Sequence, residues 1–342
     1  MPTAPKPPAV TEADTSRVRD LKLRARYRAR RTLDRLDNEP VRRARRMVKA
    51  LRTDPPSVLY VGDSMLGFVA PYDADQRRLD AMVSDQLGAD TSMHVVFGAS
   101  FNADIIDAYL GLAKAQTHRP IVIVPVWVRG RLTPFVEHPV HGHKRAMRRM
   151  RQVNPTGPTW RIRGSWPRPT QKDFDEFYAK PFPSLLGDNL TVGDHVKAIG
   201  QAEREGDETA RRRALYAYHY GGLVTPAALE AVTQLGRTVR ALACPTVVYQ
   251  TPLPVETGTA LLGPEFSEYC IKNLAAIDAA FRLGAGEEFE IIESGTSFSE
   301  SEFIDPGDGS EHVNERGRKR LADMIVQGVK RATSSPHSDS PV

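Results

Sequence analysis

Short apolar runs that alternate with helix-patterned stretches constrain this chain more than any other feature. The runs are SVLYV (57–61), MHVVF (93–97), IVIVPV (121–126), TVVYQ (246–250) and FEIIE (289–293). SVLYV lacks the apolar–polar alternation of a strand with one wet face, as expected for a strand buried on both sides. Between the runs, Leu79, Met82, Val83 and Leu87 recur at helical spacing and stop at Gly88. Ile105, Ile106, Tyr109, Leu110 and Ala113 do the same, and further helices are expected near 265–283 and 314–332. This alternation predicts an α/β fold: a parallel sheet covered by helices on both faces.

The alternation breaks at about 128–240. The first half of that insertion, to about Asp188, is rich in Pro, Arg and Trp and reads as irregular. The second half, about 194–242, reads as helical. An insertion this long in an α/β domain usually shapes or covers a site. At the ends, residues 1–14 and 333–342 read as disordered, and 53–332 as the α/β domain with its insertion. Residues 15–52 form a basic helical extension, interrupted near Asn38-Glu39-Pro40. The extension carries 15 Lys and Arg (17–52) against four acids, a net of +11 in a chain whose total is +5. Val18, Leu21, Leu33 and Leu36 give it a thin apolar stripe. It is expected to pack on the α/β domain or to dock on an anionic membrane surface. No aromatic interleaving accompanies the arginines, which argues against a nucleic-acid partner. The absence of a signal peptide, and two cysteines (Cys244, Cys270) in no metal or redox pattern, predict a reducing, cytoplasmic setting.

The chemistry begins where the first apolar run ends. VLYVGDSMLG (58–67) carries a buried strand into Gly62-Asp63-Ser64, placing a serine just past a strand's carboxyl end, where ligands gather in parallel α/β sheets. If that turn opens a helix, its N–H groups favour negative charge developing on a bound acyl group. FIDPGDGSEHVNERGRKRLADMI (303–325) places Asp305 and Asp308 shortly before His312, at the start of an amphipathic helix. A serine nucleophile needs a base, and the base needs an orienting carboxylate; Asp308 and Asp305 are both candidates. His138, His141 and His143 read as loop histidines, because no acid or cysteine spacing completes a metal site. No phosphate loop, dinucleotide fingerprint, HExxH or GxSxG motif appears, and no cofactor is implied.

On these residues the chain resembles the SGNH (GDSL-type) hydrolase superfamily. Gly62-Asp63-Ser64 is similar to its first motif. Gly98 in VVFGASFN is similar to the glycine whose N–H joins the oxyanion hole, beside that of Ser64. His312, Asn314 and Gly317 in DGSEHVNERGRKRLA resemble its last motif. The resemblance implies a three-layer, flavodoxin-like parallel sheet and a serine esterase that works through an acyl-enzyme. Two positions depart from the pattern. VPVWVRGR follows the third strand where the family has an oxyanion asparagine, leaving Asn102, Trp127, Arg129 or Arg131 as substitutes. Gly309 stands three residues before His312, where the family has its acid.

FIDP…EHVNERGRKRLA and GASFNADIIDAYLGLAK…RPIVIVPVW are also similar to SGNH-like proteins of alginate and cell-surface polymer O-acylation. The implied substrate is an O-acyl ester of a carbohydrate or similar polar molecule. An acyltransferase and a non-catalytic SGNH-like scaffold are the alternatives.

Overall fold

The computed structural model of the chain describes residues 39–98, 101–126, 128, 157–158, 170–287 and 289–334. Several expectations lie outside the described residues: those on 1–38, on Trp127, Arg129 and Arg131, on the three loop histidines, and on the tail beyond 334.

Five strands form one parallel sheet: β1 (Val58–Gly62), β2 (Met93–Phe97), β3 (Ile121–Val126), β4 (Thr246–Gln250) and β5 (Ile291–Ile292). Their order is β2-β1-β3-β4-β5, the flavodoxin-like arrangement. Side chains alternate across the sheet as the pleat demands. Leu59, Val61, Val122, Val124 and Val248 belong to the core on one face. Val58, Tyr60, Ile123, Val247 and Tyr249 belong to the core on the other. The first face is covered by α1 (Glu39–Thr53), α3 (Ala103–Lys114), α7 (Pro226–Leu242) and α9 (Glu265–Ala285). The second is covered by α2 (Leu79–Leu87) and α10 (Glu315–Ser334). The fold class is therefore a three-layer parallel α/β arrangement. Helices α7 and α9 pack backbone to backbone, because a Cβ on Gly236 or Gly284 would overlap the partner helix's main chain.

Three elements differ from the sequence reading. Strand β5 pairs with β4 at two positions only, Val248↔Ile291 and Tyr249↔Ile292, so it is shorter than the apolar run that marks it. The first half of the insertion is not wholly irregular: α4 (Gln171–Tyr178) begins in a Thr170/Asp173 capping box. Its second half forms α5 (Val192–Glu205), α6 (Glu208–Tyr220) and α7. A further helix, α8 (Val255–Leu262), follows β4.

The described part of the basic extension is α1, and it is a core helix. Val41, Ala44, Met47, Val48 and Leu51 are buried, while Arg42, Arg45, Arg46 and Lys49 face outward. That division is the amphipathic solution for an arginine-rich helix laid on a sheet. Arg43 donates to the Phe97 carbonyl at the end of β2 and lies 5.9 Å over the Phe101 ring.

Candidate active site

Strand β1 delivers Ser64 to the carboxyl edge of the sheet. Asp63, 3% exposed, caps the turn that follows, its Oδ1 accepting the Met65 N–H at 2.9 Å. The helix expected here is a single 3-10 turn, Ser64–Leu66. The N–H groups of Gly67 and Phe68 both close onto the Ser64 carbonyl at 3.0 Å, and an irregular loop then runs to α2. With one turn in place of a full helix, little helix dipole acts on Ser64.

The carboxyl-terminal segment brings the second residue. Asn314 caps α10: its Oδ1 accepts from the Arg316 N–H at 3.0 Å and the Gly317 N–H at 3.3 Å. Its Nδ2 donates to the carbonyls of Ser301 and Phe303. Gly317 lies against the Glu302 carbonyl, where a Cβ would stand 2.5 Å from that oxygen. Between these anchors the His312 carbonyl accepts the Ile304 N–H at 3.0 Å. The result places His312 Nε2 3.0 Å from Ser64 Oγ. Both residues are half-buried, so the pair is fixed and still reachable. Below it Tyr60 donates its hydroxyl hydrogen bond to the Tyr249 hydroxyl at 2.9 Å. Burial, then the neighbouring Tyr249, push the Tyr60 phenol well up; burial does the same to Tyr249, and both phenols stay neutral.

The two aspartates sit on the loop that leads to His312, and their carboxylates go elsewhere. Asp308 Oδ1 accepts from Arg211 Nη2 on α6. Asp305 opens the 3-10 turn Pro306–Asp308 and makes no side-chain cap bond. Among the described residues neither aspartate makes a hydrogen bond or ion pair with His312. Instead α6 grips this loop. Tyr216 donates to the Pro306 carbonyl, and Tyr220 to the Gly309 carbonyl at 2.6 Å. Gly309 has φ +62°, the left-handed region, and a Cβ there would touch both tyrosine rings. The positive φ favours glycine at the position where an acid was expected.

The two other oxyanion candidates are placed differently. β1 and β2 are neighbours, with Gly62 opposite Phe97, so Ser64 and Gly98 leave the same edge of adjacent strands. Gly98 is buried under Arg43 and Phe101, which leave no room for a Cβ. Asn102 is the cap of α3, and its Oδ1 accepts the Ile105 N–H at 3.0 Å. Its side-chain oxygen is committed to the helix.

Two side chains that the sequence reading did not single out stand at the site. The Phe68 ring lies flat on the His312 imidazole, centroids 4.3 Å apart and planes 3° from parallel. Arg318, one turn into α10, is 0% exposed and pairs with Asp73 Oδ2 at 2.6 Å. A second serine–histidine contact, Ser184 Oγ to His195 Nε2 at 3.1 Å, joins the turn after Phe182 to α5. Both of its members are buried, and desolvation lowers the imidazole's pKa. It holds the insertion together and offers no access to a substrate.

Among the described residues no group of three His, Cys, Asp or Glu side chains is arranged to hold a metal ion. Among the same residues no helix is long and apolar enough to cross a membrane. The chain matches no model of a known protein family and no curated protein.

Proposed function

We propose that the chain is a serine-dependent acyl hydrolase of the SGNH type, acting on O-acyl esters of a carbohydrate or similar polar substrate. The observation that carries this reading is the Ser64–His312 contact: a half-exposed hydroxyl 3.0 Å from an imidazole nitrogen at the carboxyl edge of a parallel sheet. Ser64 Oγ attacks the ester carbonyl carbon while His312 Nε2 takes the hydroxyl proton. The carbonyl π pair moves onto oxygen, where the N–H groups of Ser64 and Gly98 are the donors this reading assigns. Collapse of that intermediate expels the alkoxide, which takes the proton from His312. Water then attacks the acyl-enzyme, giving its proton to His312, which returns it to Ser64 Oγ as the acid leaves. A hydroxyl acceptor in place of water makes the same cycle an O-acyl transfer.

In this reading Asp308 and Asp305 shape the loop that presents His312. An open groove of about 560 Å³ lies between residues 74–77 and the first turn of α10, lined by neither Ser64 nor His312. Asp75, Gln76, Arg77, Glu315, Arg316 and Lys319 line it.

A fluorophosphonate probe tests the proposal. Wild type is modified at Ser64, and Ser64→Ala and His312→Ala abolish modification. A folded wild type that the probe leaves unmodified overturns the reading in favour of a non-catalytic scaffold.

A further inference from the structure

We infer that Phe68 is a positioning residue of His312, docked in place by the buried Arg318; this rests on the hydrolase reading above. Phe68 touches both members of the pair. Its backbone N–H bonds the Ser64 carbonyl at 3.0 Å, and its ring covers one face of the imidazole at 4.3 Å. An exposed aromatic side chain on an irregular loop ordinarily samples several rotamers. Phe68 is 43% exposed, yet its loop is tied down from beneath.

One guanidinium does most of the tying. Arg318 Nε donates to the Arg77 carbonyl at 3.1 Å, and Nη2 to the Asp75 carbonyl at 2.6 Å. Nη1 donates to Asp73 Oδ2 at 2.6 Å and to the Val313 carbonyl at 3.4 Å. The loop that carries Phe68 and the residue that follows His312 therefore share one buried cation, whose planar fork suits several acceptors at fixed angles. Two more links act in parallel. Tyr72 donates to the Ile304 carbonyl at 2.8 Å, and the Ile304 N–H bonds the His312 carbonyl at 3.0 Å. Glu315 Oε2 accepts the Asp75 N–H at 2.8 Å. A fully buried arginine is costly unless all its donors are met, and here the acceptors are loop carbonyls and one carboxylate.

The stack has two effects on the chemistry. It fixes the imidazole plane, so Nε2 stays aimed at Ser64 Oγ between turnovers. It also lays an aromatic face against the ring that becomes cationic when Nε2 takes the serine proton, and such a face attracts a cation. Both effects raise the rate at which Ser64 attacks an electrophile.

The test uses the full chain with Phe68→Tyr and Phe68→Leu. Tyrosine keeps the aromatic face; leucine keeps bulk without it. The first readout is the rate of Ser64 modification by a fluorophosphonate: within about threefold of wild type for Tyr, and roughly tenfold slower for Leu. The second is the long-range 1H–15N spectrum of the His312 ring, which reports its tautomer, and so whether Nε2 is held in one hydrogen bond, whether or not the chain hydrolyses esters. Wild type and the Tyr variant show one fixed tautomer, and the Leu variant an averaged one. Unmodified wild type would refute the hydrolase reading and leave the ring spectrum to judge Phe68. A Leu variant with wild-type ring signals, or a Tyr variant as disturbed as the Leu variant, overturns the inference.

Discussion

Removing residues 39–53 should cost the protein most of its stability, although the segment is one of the most highly charged in the chain. Val41, Ala44, Met47, Val48 and Leu51 are all 4% exposed or less, in the same core as Val96, Ile105, Tyr109 and the strand residues of that face. Each buried Val, Leu or Met side chain contributes roughly 1.5–3 kcal/mol. The helix as a whole therefore supplies on the order of 8 kcal/mol, against a total of about 5–15 kcal/mol for a native protein. The assay is thermal and urea unfolding of two truncations, one beginning at residue 39 and one at residue 54. The first should unfold cooperatively; the second should be insoluble or lack a cooperative transition. Point substitutions resolve the cause. Met47→Ala should cost about 3 kcal/mol and lower Tm by roughly 4 °C. Lys49→Ala, on the outward face, should stay within about 0.5 kcal/mol. A chain beginning at residue 54 that stays soluble and melts within about 2 °C of the longer one would refute the reasoning.

Four further outcomes are expected. Asp308→Asn should slow Ser64 modification more than Asp305→Asn, because only Asp308 bonds Arg211; the pair is partly exposed and contributes at most about 1 kcal/mol. Arg211→Met should match Asp308→Asn, the double variant should be no worse, and additive losses would show that the two act separately. Burial pushes the Asp278 carboxyl up to about 6, so the native state holds that proton more tightly than the unfolded chain, and stability falls as pH rises from about 4 through 6. Asp278→Asn should therefore raise Tm at pH 8 by the equivalent of about 1 kcal/mol, allowing for its partial exposure, and change little at pH 4; a pH-independent difference would contradict this. Gly284→Ala should cost about 2–3 kcal/mol in urea unfolding, because its Cβ would overlap the Thr233 carbonyl across the α7–α9 contact.

The parts legible in the sequence were those set by local chemistry. A strand buried on both faces must be apolar at nearly every position, so β1, β3 and β4 stood out to within one residue, and the half-buried edge strand β2 did so through its own apolar run. Ser64 and His312 were legible because a polar turn after a buried strand and a histidine ahead of a capped helix are local patterns. The acid was not. Asp308 is nearer His312 along the chain than Asp305, but the left-handed turn at Gly309 and a guanidinium 97 residues away decide where its carboxylate goes. Arg318 stood in ERGRKRLA as one basic residue among several; only the loop folded over it makes it a core residue. Phe68 carried no periodicity at all. The packing of α1 was written in the spacing of Val41, Ala44, Met47, Val48 and Leu51, beneath a stronger charge signal.

Ser64 and His312 stand 248 residues apart in the chain, at opposite ends of the sheet's assembly. β1 lies inside the sheet and precedes every other strand in synthesis, while the histidine arrives only when the segment before α10 docks. A contact at this sequence separation is slow to close, because the loop-closure entropy must be met before the contact compensates it. Until that contact closes, Ser64 lacks the His312 partner that the proposed reading requires, even after β1 and its neighbours have paired. Under the proposed hydrolase reading, reactivity at Ser64 would report that this long-range contact has closed, and a probe that reads it would separate molecules with the contact from those without it in one measurement.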